Sequence, residues 1–143
     1  MGLFAWRSEY SIKHDHLDSQ HKELFRLAEE LHAAMMSGSA KSILRETLKR
    51  LIDYTRSHFR DEEAMMLKAG YPQYYPHKAQ HDKFTAHVLE LQNGFEAGGI
   101  AVTVETLRFL RDWLENHIMR TDKTLASFFE NKGSPELTGA GRR

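Results

Sequence analysis

The chain contains no cysteine. This absence excludes disulfide bonds, iron–sulfur clusters, zinc–thiolate sites and thiol nucleophiles. Any transition metal bound by this chain must therefore be held by nitrogen and oxygen atoms, because no thiolate is available.

The chain also lacks an excess of charge and a long apolar run. Its 20 Lys and Arg residues balance its 20 Asp and Glu residues, which argues against a nucleic-acid partner, since nucleic acid demands a basic face. No stretch approaches the ~18 apolar residues of a membrane span. Residues 1–7 do not have a signal-peptide pattern, and Trp6 breaks the myristoylation pattern. We expect a soluble cytoplasmic protein.

The chain does contain four stretches in which apolar residues alternate at spacings of four and three, as in bundle helices. Its 143 residues suit one domain. The first predicted helix begins near Asp18, as N-cap, and ends near residue 36. The second runs from about Lys41 to residue 67, and the third has Pro76 in its first turn and ends near residue 95. The fourth runs from about Val102 to residue 120. Short loops between them predict an all-α, antiparallel, up-down-up-down four-helix bundle.

The two ends of the chain do not follow the helical spacing. Residues 1–17 are predicted to be an extended arm whose aromatic side chains pack on the bundle. Thr121 and Asp122 are predicted to start a short final helix that ends near Glu130. The bundle domain then covers residues 1–131, and the glycine-containing residues 132–143 form a flexible tail.

Each of the four apolar seams carries histidine at positions where a bundle normally places leucine or isoleucine. His58 and Glu62 are four residues apart, as are His77 and His81, so each pair shares one face of a helix. Imidazole and carboxylate together are ligands for iron, copper, nickel or zinc. The pattern predicts a metal site shared between neighbouring helices, with seam histidines His21, His58, His77, His81 and His117.

A single seam histidine is usually a core residue with satisfied hydrogen bonds, but five of them are a different case. A buried polar group without a partner costs on the order of 1–3 kcal/mol. Five imidazoles and Glu62 would thus approach the whole ~5–15 kcal/mol of a domain's stability. A metal removes this cost. Asp122 lies five residues beyond His117, about 140° around an ideal helix, so the turn between them must open if both are to reach one centre.

The remaining histidines, His14, His16, His32 and His87, fall in the arm or on polar faces, where we expect them to be solvated. Glu29 and His32 form one E-x-x-H motif of the kind found in ferritin-like di-iron proteins. That fold requires two such motifs and further glutamates, so we exclude it.

The ordered motifs of residues 6–125 resemble hemerythrin, specifically the bacterial single-domain hemerythrins, a relative of which is a known four-helix bundle. The motifs that carry the resemblance are Trp6-x3-Tyr10-x-Ile12, Asp18-x2-His21-x2-Leu24, His58-Phe59-x2-Glu62-Glu63, Gly70-Tyr71-Pro72, His77-x3-His81-x2-Phe84 and Trp113-Leu114-x2-His117-Ile118-x3-Asp122.

The resemblance implies a di-iron centre with an oxo or hydroxo bridge. One iron would be held by His77, His81 and His117 and the other by His21 and His58, with Glu62 and Asp122 bridging. The two-histidine iron then has one free position, where dioxygen would bind end-on as hydroperoxide. Apolar side chains flank the ligand positions and would shield that position from water: Leu24, Phe59, Trp113, Leu114 and Ile118.

The implied function is reversible dioxygen binding, as a carrier or store, by a monomer that is not an enzyme. Azide or nitric oxide would compete for the same position. Two other classes remain open: an oxygen or redox sensor that signals to a partner through the arm or tail, and a di-iron enzyme acting on peroxide or nitric oxide, or an iron-handling protein.

Overall fold

The structure, a computed structural model, describes residues 3–99 and 102–132. Within these residues the chain is helical, and a 3-10 helix (Ser8–Tyr10) precedes the bundle. The α-helices are α1 (Asp15–Met36), α2 (Lys41–Ala69), α3 (Tyr74–Glu96), α4 (Val104–Asn116) and α5 (Lys123–Lys132). A π-helical turn (His117–Asp122) joins α4 to α5 without a break, so the two form one long fourth rod.

The predicted four-helix bundle is confirmed. Helix α1 packs on α2 and α4, and α2 packs on α3. The seams face inward, and each helix contributes buried apolar side chains to one core, among them Leu24, Leu48, Val88, Leu107 and Leu125. Burial of these stripes stabilises the fold, since each such side chain contributes roughly 1.5–3 kcal/mol when removed from water.

Helix α1 begins three residues earlier than predicted. Its N-cap is His14, whose Nδ1 accepts a hydrogen bond from the backbone N–H of Leu17 (3.3 Å). Asp18 lies in the first turn, and its carboxylate accepts hydrogen bonds from Oγ of Ser11 (2.6 Å) and the backbone N–H of Ile12 (2.9 Å). The prediction of Asp18 as N-cap was wrong because this side chain holds the arm against the helix instead.

The prediction for His14 was also wrong. This side chain is only 1% exposed, and its ring packs against Phe129 of α5, with 5.6 Å between ring centroids. The sequence suggested solvation because His14 falls in the predicted N-terminal arm. Here the last helix covers the cap, so His14 belongs to the core.

The arm packs on α1 and α4 through its aromatic side chains, as predicted. Trp6 lies edge-on to Tyr10 and Phe25, with centroid distances of 5.4 and 5.6 Å. The Tyr10 hydroxyl donates a hydrogen bond to the Glu115 carboxylate, and Arg7 pairs with Glu115 at 3.5 Å. The arm is therefore fixed to the same helix that ends in the π-helical turn.

The turn between α2 and α3 has the predicted chemistry. Gly70 ends α2 with φ +68°, a left-handed conformation that glycine adopts without strain. The backbone N–H of Tyr71 then bonds to the carbonyl of Met66 (3.0 Å). Helix α3 starts at Tyr74, so Pro76 lies in its first turn, where a missing N–H costs nothing.

At the C-terminal end, α5 reaches Lys132, two residues beyond the predicted end near Glu130. The predicted flexible tail lies outside the described residues from position 133 onward, and the division into a domain and a tail stays a prediction. In the part of the chain that the structure describes, no helix is both long enough and apolar enough to cross a membrane.

The contact between Tyr10 and Glu115 predicts a loss of stability at alkaline pH. Burial and the hydrogen bond to Glu115 raise the pKa of Tyr10 to about 12. Because the folded-state pKa lies above the unfolded value of about 10, the contribution is complete below pH ~10 and is lost as the pH rises toward ~12. Denaturant titrations of parent and Tyr10→Phe across this window should show the steeper decline in the parent. Equal slopes would contradict the assignment.

Candidate metal centre

Seven buried polar side chains from the four rods of the bundle converge in its core. Each is at most 4% exposed. They come from the start of α1, the end of α2, the start of α3 and the π-helical turn after α4, which are neighbours in an antiparallel bundle. We call this set the seven-residue cluster: His21, His58, Glu62, His77, His81, His117 and Asp122.

The π-helical turn brings the last two members together. In an α-helix, side chains five positions apart point about 140° away from each other. The π-helical turn uses i→i+5 hydrogen bonds, which bring such residues onto one face. His117 Nε2 consequently lies 3.1 Å from Asp122 Oδ1. The predicted opening of this turn is confirmed.

The seven-residue cluster divides into two groups that share their carboxylates. One group contains three imidazoles, from His77, His81 and His117, and the other contains two, from His21 and His58. Within each group all candidate ligand atoms lie within 4.8 Å of one another. This close grouping of nitrogen and oxygen donors is typical of a transition-metal site.

Each carboxylate directs one oxygen to each group. Glu62 places Oε1 near His77 and His81 Nε2 (2.8 and 3.0 Å), and its Oε2 faces His58 Nε2 at 3.8 Å. Asp122 places Oδ1 near His77 and His117 Nε2, both at 3.1 Å, and Oδ2 near His21 Nε2, also at 3.1 Å. Both carboxylates are thus oriented as bridges between two neighbouring positions.

The seven-residue cluster contains two carboxylates, Glu62 and Asp122, that are buried away from water. Burial and the nearby Asp122 would each raise the pKa of Glu62, but contacts with His77 and His81 outweigh them and lower it. Burial likewise opposes a raised pKa of His77, yet contacts with Asp122 and Glu62 raise that pKa to about 9. Burial lowers the pKa of His58 to about 4. Burial would also raise the pKa of Asp122, but the neighbouring imidazoles hold that pKa well below its ordinary value. Both carboxylates are therefore ionised and require positive partners, either protons on imidazoles or metal cations.

Unpaired atoms in the seven-residue cluster support the second alternative. Within residues 3–99 and 102–132, no hydrogen-bond partner is available to either ring nitrogen of His21, to Glu62 Oε2 or to either carboxylate oxygen of Asp122. The approach of His21 Nε2 to Asp122 Oδ2 does not have hydrogen-bond geometry, although it is close. Buried polar atoms of this kind cost stability unless they share a further partner. The donor set of five imidazoles and two carboxylates fits a transition-metal centre, iron included.

Three residues that the sequence analysis did not assign contact the outer ring nitrogens of the imidazoles. Nδ1 of His58 donates to Gln20 Oε1 (2.7 Å), Nδ1 of His117 to Gln80 Oε1 (2.9 Å) and Nδ1 of His81 to Glu63 Oε2 (2.8 Å). Gln20 and Gln80 directly precede His21 and His81 in the chain, but each pairs with a histidine of another helix. That pairing has no signal in the sequence.

Of the five predicted apolar neighbours, four are buried and Trp113 is half-buried. The Phe59 ring stacks on His81 with a centroid distance of 3.9 Å, and the Trp113 ring stacks on His117 at 4.5 Å. Leu114 lines a small apolar cavity of about 20 Å³ in the bundle core. These contacts fix the faces of two imidazoles and keep water from them.

All four histidines that were expected on the surface lie outside the seven-residue cluster, including the buried His14. His16 bonds to the Asp61 carboxylate (2.9 Å), and His32 lies 3.4 Å from Glu29. His87 packs its exposed ring against Phe109 at 4.4 Å. Among the described residues, no cluster of metal-binding type includes these three or His14.

Comparisons with known proteins agree with the geometry. The family model of the hemerythrin HHE cation binding domain matches residues 13–129. The bacteriohemerythrin of Methylococcus capsulatus is 40% identical over 124 residues, which is 86% of this chain and 94% of that protein. Myohemerythrin-1 of Phascolopsis gouldii is 36% identical over 119 residues, or 83% of this chain and 88% of that protein. A solved wild-type hemerythrin superposes with a TM-score of 0.83 at 39% identity, covering 87% of this chain and 96% of that one.

The geometry predicts that metal content depends on the seven-residue cluster and not on histidines outside it. His58→Ala should lose most of its bound metal and a corresponding part of its thermal stability, because metal binding contributes to folding. It also removes an imidazole that faces the buried Glu62. Metal analysis and thermal unfolding of the purified protein measure both effects.

Two histidines outside the seven-residue cluster serve as controls. His16→Ala changes an exposed side chain and should stay within about 0.5 kcal/mol of the parent. His14→Ala removes a buried cap and should cost about 1 kcal/mol or more, yet keep the full metal content. Metal loss in the His14 variant would place the arm in the centre.

Proposed function

The chain belongs to the hemerythrin family, and we propose that it binds dioxygen reversibly, as a carrier or store, at two iron ions held by the seven-residue cluster. The three-imidazole group would hold one iron and the two-imidazole group the other, with Glu62 and Asp122 bridging. Bound there, the pair of irons would supply the two electrons that dioxygen takes up and returns.

The observation that carries this proposal is the direction of the carboxylate oxygens. Each of Glu62 and Asp122 presents one oxygen to either group. A single-metal site would use these oxygens on one side only. Two adjacent metal positions with unequal numbers of imidazoles also leave the two-imidazole side with one ligand fewer, and we place the dioxygen there, beside His21 and His58.

The side chains around that position would exclude water and supply no proton. Leu24, Phe59, Leu114 and Ile118 are buried and apolar. They carry no group that could protonate a bound oxygen species or stabilise an escaping anion. A dry, apolar surrounding favours release of dioxygen as the intact molecule, and small ligands such as azide or nitric oxide would compete for the same space.

The donor set also favours binding over turnover. Five of the seven side chains are imidazoles, which are neutral as ligands, and only two are anionic. Carboxylate-rich di-iron sites are more anionic, so they stabilise the ferric state and favour oxidation chemistry. We therefore propose a binding protein rather than an enzyme.

Iron loading and dioxygen titration test the proposed function. The purified protein should contain two irons per chain, and the reduced form should take up one dioxygen per iron pair. Removal of dioxygen under argon should restore the reduced spectrum. One zinc ion per chain, or irreversible oxidation on the first exposure to air with no oxygenated intermediate, would contradict the proposal.

A substitution of Leu114 tests whether the predicted apolar side chains cover the dioxygen position and exclude water from it. Leu114 is 5% exposed, precedes His117 by three positions on the seam and borders the small core cavity. Leu114→Ala should cost ~2–5 kcal/mol of unfolding free energy, as expected for an enlarged cavity. Its iron content should match that of the parent, because no member of the seven-residue cluster is changed.

The same variant should release dioxygen faster and autoxidise faster, since water and protons gain access to the site. Stopped-flow dissociation and the decay of the oxygenated spectrum measure the two rates. Leu48→Ala is the matched control, because Leu48 lines the same cavity without belonging to the predicted cover. If both variants destabilise equally and neither changes the two rates, Leu114 is core packing alone.

A further inference from the structure

The three partners of the outer ring nitrogens differ in charge. Gln20 and Gln80 offer neutral amide oxygens to His58 and His117, whereas Glu63 offers a carboxylate oxygen to His81 at 2.8 Å. A hydrogen bond to an ionised acceptor is roughly twice as strong as one between neutral groups. His81 therefore receives a different electronic environment from the other two imidazoles.

On the basis of the proposed function, we propose that Glu63 is a positioning residue that sets the metal affinity and the ferric preference of the three-imidazole group. A carboxylate that accepts the Nδ1 proton of His81 draws that proton outward and increases the electron density at Nε2. The richer nitrogen binds a metal cation more strongly, and most strongly the ion of higher charge.

The surroundings of His81 allow the charge of Glu63 to be changed by substitution without a change in the packing of the His81 ring. Phe59 is stacked on the His81 ring with an interplanar angle of 2°. This contact holds the face of the ring and does not depend on the hydrogen bond between Glu63 and Nδ1 at the ring edge. The Glu63 side chain is 17% exposed and opens into a surface recess of about 420 Å³ shared with Arg56 and Asp82. A change at Glu63 therefore leaves the ring seated and does not create a closed cavity.

Glu63→Gln keeps an oxygen acceptor and removes the charge. The metal-free variant should bind Zn²⁺ about tenfold more weakly than the parent, at the lower end of the effect of such partners on metal affinity. With iron bound, the preference for ferric over ferrous ion should fall by a similar factor, which is a rise of about 59 mV in the one-electron reduction potential. Zinc competition titration and spectroelectrochemistry measure the two quantities.

Gln80→Glu provides the opposite change at the same group. It adds a carboxylate at Nδ1 of His117 and preserves the acceptor that Thr121 also uses (2.9 Å). The potential should fall and zinc affinity should rise, and the double variant Glu63→Gln/Gln80→Glu should return both toward the parent. A purely structural role for Glu63 predicts no such compensation.

Asp82→Asn is the control for a nearby negative charge that makes no hydrogen bond to His81. Asp82 directly follows His81 and lines the same recess, but its carboxylate pairs with Lys78 (2.8 Å) and is 62% exposed. Its removal should leave zinc affinity and potential within about twofold of the parent, because exposed charges are screened by solvent and salt. An effect as large as that of Glu63→Gln would overturn the requirement for the hydrogen bond.

Four further outcomes decide the proposal. Unchanged zinc affinity and potential in Glu63→Gln, or shifts of the same sign in Glu63→Gln and Gln80→Glu, would overturn it. If Glu63→Gln does not fold, Gln80→Glu decides alone through the direction of its shift. If the parent holds no iron, the proposed function fails, while the zinc titrations of the same variants still decide the role of Glu63.

Discussion

Two ionised carboxylates enclosed in an apolar core are the constraint on which this structure depends. Glu62 and Asp122 are both fully buried, and an isolated buried charge costs several kcal/mol after relaxation. The cost is tolerable only with positive or polarisable partners on all sides. Five imidazoles from four rods supply those partners, and the buried polar atoms without hydrogen-bond partners point to a bound cation as the remaining one.

The same constraint explains the unequal composition of the bundle. Around the seven-residue cluster the side chains that contact the imidazoles are aromatic or carry an amide or carboxylate acceptor, because flat rings and hydrogen-bond acceptors hold ligand orientation. Farther along the bundle, the core reverts to aliphatic packing around Leu48, Val88 and Leu110. The aliphatic half of the core therefore stabilises the fold, and the half that contains the seven-residue cluster reduces that stability because it buries polar groups.

Much of the seven-residue cluster could be predicted because several of its members are separated by the spacing of one helical turn. The pairs His58–Glu62 and His77–His81 lie at four-residue intervals, and the five-residue interval from His117 to Asp122 required the unusual turn that is present. The role of His14 could not be predicted, since its burial depends on Phe129 at the far end of the chain. Gln20 and Gln80 were missed for the same reason: each serves a histidine on a different helix.

The π-helical turn also sets the helical phase of everything that follows it. One inserted residue in an α-helix turns the downstream side chains by about 100°, so α5 faces the bundle in a register that an uninterrupted α4 could not give it. In that register Leu125 and Phe129 are buried, and Phe129 covers the His14 cap. A single-residue deletion in the turn would thus disconnect Asp122 from the centre and, in the same step, rotate the apolar face of α5 into water. The backbone irregularity that builds the site is also the one that closes the N-terminal end of α1.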